Sequence, residues 1–329
     1  LREISKGKDT TTGHWEMTGI ILNKPFPTYP EGFPKEIIVE YERRIGTKTL
    51  GNFPCSGTEI LKLLGEQHLK TGYPIVYTSA DSVFQVAANE DIIPLEKLYK
   101  WCEIAREMLG NPPFEIHNVG RVIARPFVGT SKENFKRTSN RKDFSIKPSS
   151  KTILDYIKDF GGKVLGIGKI EDIFSGQGLT DAIHTKNNVD GIETTINSIK
   201  NFTFPNNTLI FTNLVDFDML WGHRRDIKSY YDGLKYFDTK LSEIISLLKE
   251  YDLLIITSDH GNDPGFNGHP DHTREYVPIM LYSKNKSFVP GIDLGIVKGF
   301  NCIARTIDEL FKINKIVEGE NLAKKIFNN

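Results

Sequence analysis

The chain has 329 residues, 39% of them hydrophobic and 26% charged, and its 42 basic residues balance 42 acidic ones. That length allows a large core and two domains, and the charge balance excludes a surface built for general attraction to nucleic acid. Cys55, Cys102 and Cys302 lie far apart without CxxC spacing, which excludes a disulfide framework and a thiolate zinc site and points to a cytoplasmic setting. No apolar run reaches membrane-spanning length, so no membrane is expected as a partner.

In chain order, the first informative stretch is "GKDTTTGHWE", residues 7–16. Hydroxyls after an aspartate cap a helix start. A hydroxyl placed there also sits among free N–H groups that can hold a phosphoryl group. Thr10, Thr11 and Thr12 all fit that second use. The residues before it, "LREISKGKD", form no signal peptide and supply no strand, so an incomplete N-terminal core and a companion N-terminal segment or chain are expected.

The proline-rich "NKPFPTYPEGFP" (23–34) and the polar, basic "KRTSNRKDFSIKPSSKT" (136–152) read as seams between domains. Between them, "KEIIVEYERRIG", "TEILKLLGEQHLK" and "LEKLYKWCEIAREMLG" have helical spacing, with Gly46 and Gly110 as stops. "YPIVYTS" and "GRVIARPFVG" read as strands, and the period of two puts Arg121 and Arg125 on one face.

After the second seam, apolar runs at 163–168, 208–215, 253–258 and 277–283 read as strands, and 230–251 reads as a long amphipathic helix. Such alternation predicts an α/β core with a mostly parallel sheet between helices. Ligands in such sheets bind beyond the carboxyl ends of the strands.

Two strands end in metal-binding residue types. "TLIFTNLVDFDMLWGHRRD" supplies Asp218 and His223, and "LLIITSDHGNDPGFNGHPDHTREY" supplies Asp259, His260 and His272. Five carboxylate and imidazole ligands exceed what one catalytic ion needs and suit two, with the oxygen donors favouring Mn²⁺. Asp216 rivals Asp218, and His269 and Asp271 rival His272, because spacing does not separate them. His68, His117 and His184 lack this setting and read as structural or exposed. A threonine hydroxyl is a weak nucleophile that a metal can activate, so the residues reach metal-assisted phosphoryl transfer to a threonine.

"GKDTTTGHWE", "PEGFP", "GTEIL", "YTSADSV", "GRVIARPF", "GKIEDIF", "NLVDFDMLWGHRRD" and "DHGNDP…DHTREYVP" together resemble the phosphopentomutase family of the alkaline phosphatase superfamily, in order, from residue 4 to about residue 285. The resemblance implies an alkaline-phosphatase-like core with an inserted smaller α/β cap: core residues 1–28, cap 29–145 and core 146–329. It implies interconversion of the 1- and 5-phosphates of ribose and 2-deoxyribose, two Mn²⁺ ions and a sugar bisphosphate activator. Thr10 would be the phosphorylated nucleophile. Asp218, His223 and His272 would hold one metal, and Asp259 and His260 the other. Ser79 and Asp81 would face the sugar, while Arg121, Arg137 and Lys169 meet phosphate. The family's remaining ligand, an aspartate on its first core strand, has no counterpart here, so this chain alone is expected to form no ordinary two-metal site. The alternatives are a non-catalytic sugar-phosphate-binding fragment and a related metal-dependent phosphatase or phosphoglycerate mutase; the latter family uses a serine where this chain has threonine.

Overall fold

Asp9 starts the first helix, α1 (Thr10–Met17): its carboxylate accepts the Thr12 N–H at 3.0 Å and the Thr12 hydroxyl at 2.6 Å. These bonds satisfy donors that a first helical turn leaves free. The computed structural model describes residues 1–201, 205–269 and 271–328. They divide into two compact units, one of residues 1–25 with 147–329 and one of residues 26–146.

The unit of residues 26–146 contains α2 (Lys35–Ile45), β1 (Leu50–Pro54), α3 (Glu59–Thr71), β2 (Ile75–Thr78), β3 (Val83–Asn89), α4 (Leu95–Gly110), β4 (Arg121–Val128), β5 (Lys136–Arg137) and β6 (Lys142–Ser145). The strands run in the order β1-β2-β3-β4-β5, and β6 also pairs with β4. The β1/β2 and β3/β4 pairs are parallel and the others antiparallel. Alternation along the strands builds a core on each face. Val76, Phe84, Val86, Val122 and Ala124 pack with Ile37 and Tyr41 of α2 and with Trp101 and Cys102 of α4. Ile75, Tyr77, Ala87 and Phe127 pack with Ile60 and Leu61 of α3. Gly46 ends α2 in the left-handed region at φ 72°, which costs glycine little. Gly110, read as a stop, is instead the last residue of α4.

The other unit continues with α5 (Ile153–Asp159), β7 (Lys163–Ile167), α6 (Ile170–Phe174), β8 (Asp181–Ile183), α7 (Asn188–Asn201), β9 (Thr208–Thr212), α8 (Ile227–Leu247), β10 (Leu253–Thr257), β11 (Ile279–Ser283), α9 (Cys302–Leu310) and α10 (Ala323–Ile326). The sheet β8-β7-β9 is parallel throughout. β11 runs antiparallel to β10, from Leu253 opposite Ser283 to Thr257 opposite Ile279, an exception that a mostly parallel arrangement allows. Among the described residues no helix stands between the two strands, and without a crossover element a returning strand pairs antiparallel. The helix read at 230–251 begins earlier, because Asp226 caps it by accepting the Ser229 N–H at 3.0 Å.

Glu16 of α1 ties distant segments together. It is fully buried, and its carboxylate accepts backbone N–H groups from Ile4 at 2.9 Å, Ser5 at 2.7 Å and Phe300 at 2.8 Å.

Candidate metal centre

Each candidate ligand lies beyond the carboxyl end of a strand or in the loop that follows it. Asp218 belongs to a short π-helical segment, Phe217–Gly222, after β9, and His223 closes that segment; such turns recur at functional sites. Asp259 and His260 follow β10, and His272 lies in the loop that leads to β11.

The donor atoms converge. Asp218 Oδ1 lies 3.1 Å from His272 Nε2 and 3.3 Å from His223 Nε2, and the two imidazole nitrogens are 3.1 Å apart. Asp259 Oδ2 stands 3.4 Å from His260 Nε2. The rings of His260 and His272 stack with centroids 3.8 Å apart, and one ligand atom each from Asp218, His260 and His272 lie within 4.8 Å of one another. Donors at the corners of a tetrahedron with bonds of ~2.1 Å are about 3.4 Å apart. The observed spacings fit residues that share a divalent ion.

Neighbouring groups fix which nitrogen His272 and His260 present. His272 Nδ1 lies 2.7 Å from the carbonyl of Lys8, and His260 Nδ1 lies 3.1 Å from the carbonyl of Gly261. A proton held at Nδ1 leaves the Nε2 lone pair for a metal. Asn262 Nδ2 donates to Asp218 Oδ1 at 2.5 Å. Gly222 clears that path, since a Cβ there would stand 2.4 Å from Asn262 Nδ2.

Burial pushes the Asp259 carboxyl up, but the imidazoles of His260 and His14 outweigh it and hold the group at about 2. Asp218 moves the same way: burial raises it, and hydrogen bonding from His272 with the nearby imidazoles carries it well below the carboxylate range. Burial pulls the His272 imidazole down, yet its bond to Asp218 lifts it to about 9. A metal taken up here displaces that proton.

Thr10 Oγ1 lies 3.3 Å from His260 Nε2. Thr12 gives its hydroxyl to the Asp9 cap, and Thr11 is buried. Gly13 makes this approach possible: a Cβ there would lie 1.8 Å from the Asp259 carbonyl oxygen, so the first turn of α1 rests directly on the backbone of the ligand loop. The rivals fall away from the cluster. Asp216 exchanges two 2.8 Å bonds with Asn188 at the start of α7. Asp271 pairs with Lys8 at 2.8 Å, and the carbonyl of the exposed His269 accepts from Arg225.

His14 is a residue that sequence reasoning passed over. Its Nδ1 lies 3.2 Å from Asp259 Oδ2 and 2.9 Å from the carbonyl of Thr10. The signal available was its position one helical turn after Thr10. Asn262, in the "DHGND" run, also carried no mark of its role.

Lys169 lies at the start of α6, with Nζ 3.8 Å from the sulfur of Met219, the residue after Asp218. In the unit of residues 26–146, Arg121 Nη2 stands 3.6 Å from Asp81, whose N–H meets Ser79 Oγ at 3.4 Å. Arg137 lies elsewhere: it pairs with Phe127, at the opposite end of β4 from Arg121. Ser79, Asp81 and Arg121 are thus neighbours, while Arg137 is separate from them.

The match to the Metalloenzyme superfamily covers residues 132–315. The chain is therefore a metal-dependent phosphotransferase with the alkaline-phosphatase-like α/β fold. It is 58% identical over 326 residues to a phosphopentomutase of Caldanaerobacter subterraneus subsp. tengcongensis, which covers 99% of this chain and 80% of that one. It is 53% identical to one of Acetivibrio thermocellus, covering 99% and 81%, and 54% identical to one of Dictyoglomus turgidum, covering 99% and 80%. This chain belongs to the phosphopentomutase family.

Proposed function

We propose that the chain interconverts the 1- and 5-phosphates of ribose and of 2-deoxyribose through a phosphothreonine at Thr10. The observation that carries this reading is the 3.3 Å approach of Thr10 Oγ1 to His260 Nε2, at the start of a helix and within the carboxylate–imidazole cluster.

Phosphorylated Thr10 gives its phosphoryl group to the free hydroxyl of a pentose monophosphate. The bond from Oγ1 to phosphorus breaks, the sugar oxygen bonds to phosphorus, and the hydroxyl proton passes to Oγ1. The bisphosphate then returns its other phosphoryl group to Thr10, and the proton goes back to the sugar oxygen that is released. A sugar bisphosphate primes unphosphorylated enzyme, which is its role as activator. The first turn of α1 turns its positive end toward the transferring group.

The proposed metal complement is two Mn²⁺ ions, one on Asp218, His223 and His272 and the other on Asp259 and His260, a pair that supplies fewer ligands than an ordinary second site and so holds its ion more weakly. Bound there, they supply neutralising charge for the phosphoryl oxygens and favour the alkoxide of Thr10. Asn262 and the carbonyls of Lys8 and Gly261 orient the ligands, while His14 orients Asp259. Ser79 and Asp81 are assigned to the sugar hydroxyls, and Arg121, Arg137 and Lys169 to phosphate, with residues 29–145 as a cap on core residues 1–28 and 146–329. A cytoplasmic setting is supported by three cysteines without a disulfide. Among the described residues, no helix is long and apolar enough to cross a membrane.

The test is a coupled assay on Mn²⁺-loaded protein that follows ribose 1-phosphate to ribose 5-phosphate and records free phosphate in parallel. Ribose 5-phosphate without free phosphate is expected. Thr10→Val should abolish it, and retained turnover in that variant would move the nucleophile to Thr11 or Thr12. Free phosphate alone would make the protein a phosphatase, and neither product would make it a binding protein.

A further inference from the structure

Arg225 lies two residues after His223, in the run "GHRRD", and reaches across to the loop that carries His272. Its backbone sits at φ 57°, a left-handed conformation that residues other than glycine rarely take. Such backbone persists only where surrounding contacts hold it, and here the side chain supplies them. Nη1 donates to the carbonyl of Gly222 at 3.0 Å, to Asn262 Oδ1 at 3.0 Å and to the carbonyl of Asp263 at 2.8 Å. Nη2 donates to the carbonyl of His269 and, at 3.1 Å, to that of Asp271.

These acceptors stand beside the candidate ligands. Gly222 precedes His223 and Asp271 precedes His272, so one guanidinium fastens the backbone next to two of them. Asn262 links it to the third. Arginine only donates and a carboxylate only accepts. The Asn262 amide can therefore face both in one way, with Oδ1 toward Arg225 and Nδ2 toward Asp218 Oδ1 at 2.5 Å. That bond takes one lone pair of Oδ1 and leaves the other for an ion, on an oxygen 3.1 Å from His272 Nε2 and 3.3 Å from His223 Nε2. Asp259 and His260 are held differently, by His14 and by the carbonyl of Gly261.

We propose that Arg225 is a positioning residue for the ion assigned to Asp218, His223 and His272. It sets the Asn262 amide against Asp218 and fastens the His272 loop to the segment that carries Asp218 and His223. The inference rests on the ligand assignment above and adds what holds those ligands in place. A lysine keeps the charge but presents its donors from one nitrogen, so it cannot serve acceptors spread along a planar fork. Charge and positioning come apart in Arg225→Lys.

The experiment is isothermal titration of the metal-free full chain with Mn²⁺, well below its melting temperature. It compares the parent with Arg225→Lys, Asn262→Ala and the double variant, and takes His272→Ala as the ligand control. The tighter Mn²⁺ binding should weaken by about tenfold or more in Arg225→Lys and in Asn262→Ala. The double variant should lose little more than the larger single loss, because the two residues act in series. Melting of each metal-free variant separates this from a purely structural role, which would lower the melting temperature and leave the affinity of the folded protein as it was. Asn262→Ala keeps the backbone contacts of Arg225, so it remains informative if Arg225→Lys does not fold.

Parent-like affinity in folded Arg225→Lys or in Asn262→Ala, beside weakened binding in His272→Ala, overturns the inference and leaves the ligand assignment standing. Losses that add in the double variant also overturn it, since Arg225 would then not act through Asn262. Tight binding kept in His272→Ala, or no Mn²⁺ uptake by the parent, overturns the ligand assignment and the inference with it.

Discussion

The carbonyl oxygen of Lys8 lies 2.7 Å from Nδ1 of His272, and the Lys8 ammonium donates to the carbonyl of His272 at 2.6 Å. The same residue pairs with Asp271 at 2.8 Å. The loop that presents Thr10 therefore also orients a candidate ligand from the other end of the chain. Lys8→Met keeps the Lys8 carbonyl but removes both ammonium contacts, loosening the loop around His272. Outer partners of this kind are worth roughly 10–100-fold in metal affinity. Isothermal titration with Mn²⁺ should show about tenfold weaker binding in Lys8→Met. Parent-like affinity would mean that the ammonium plays no part in holding the ligand.

Gly13 offers a steric test of how α1 is seated. A methyl group there would meet the Asp259 carbonyl at 1.8 Å, a contact with backbone that no rotamer can relieve. Gly13→Ala should cost about 2–4 kcal/mol, lower the melting temperature and abolish turnover. Gly110→Ala is the control: nothing lies within 4 Å of a Cβ there, and the residue already ends a helix. That change should be neutral or stabilise by about 0.4–1 kcal/mol. Equal melting temperatures for the two variants would refute the close packing of α1 on Asp259.

Much of this arrangement was legible in the sequence because candidate ligands that follow strands are local signals: β9 and β10 are short apolar runs, followed within a few residues by Asp218 and by Asp259 with His260. The choice of Asp218 over Asp216 was not, because it depends on Asn188 holding Asp216 from another element. His14 was missed for the same reason, since its partner Asp259 lies at the far end of the chain. The direction of β11 was not legible, because an apolar run specifies a strand but not its orientation. Local chemistry shows in sequence, whereas contacts made by long-range pairing do not.

Glu16 stands at the other extreme of burial and connection. Its Oε1 serves Ile4 and Phe300, and its Oε2 serves Ser5. Glu16→Ala leaves three backbone donors without their acceptor, so roughly 3–5 kcal/mol of stability should be lost. Glu16→Gln retains one oxygen but turns an amide N–H toward a third donor, and an intermediate loss of about 1–3 kcal/mol is expected. Urea denaturation followed by the fluorescence of Trp15, next to Glu16 in α1, measures both. Parent-like midpoints for the two variants would show that water or other groups replace the carboxylate without cost.

The pH dependence of the unit of residues 26–146 should be governed in part by His68. It is fully buried; its Nδ1 lies 2.7 Å from the carbonyl of Tyr73, while its Nε2 accepts the Asn89 N–H at 2.9 Å. Only the neutral ring with its proton on Nδ1 satisfies both partners. Burial lowers the His68 value below its usual 6.5, and the Tyr73 carbonyl opposes this incompletely. A folded value below the unfolded one means that the unfolded chain takes up the proton first as the solution is acidified. The stabilisation is therefore complete above about pH 6.5 and is lost as pH falls through the lowered folded value, at up to about 1.4 kcal/mol per pH unit. Hydrogen exchange of the β3 amides at pH 7.5 and 5.5, corrected for intrinsic rates, should show protection in the parent falling on acidification. His68→Leu should have weaker protection at pH 7.5 and a smaller fall. A constant gap between parent and variant across that range would show that His68 does not titrate against folding.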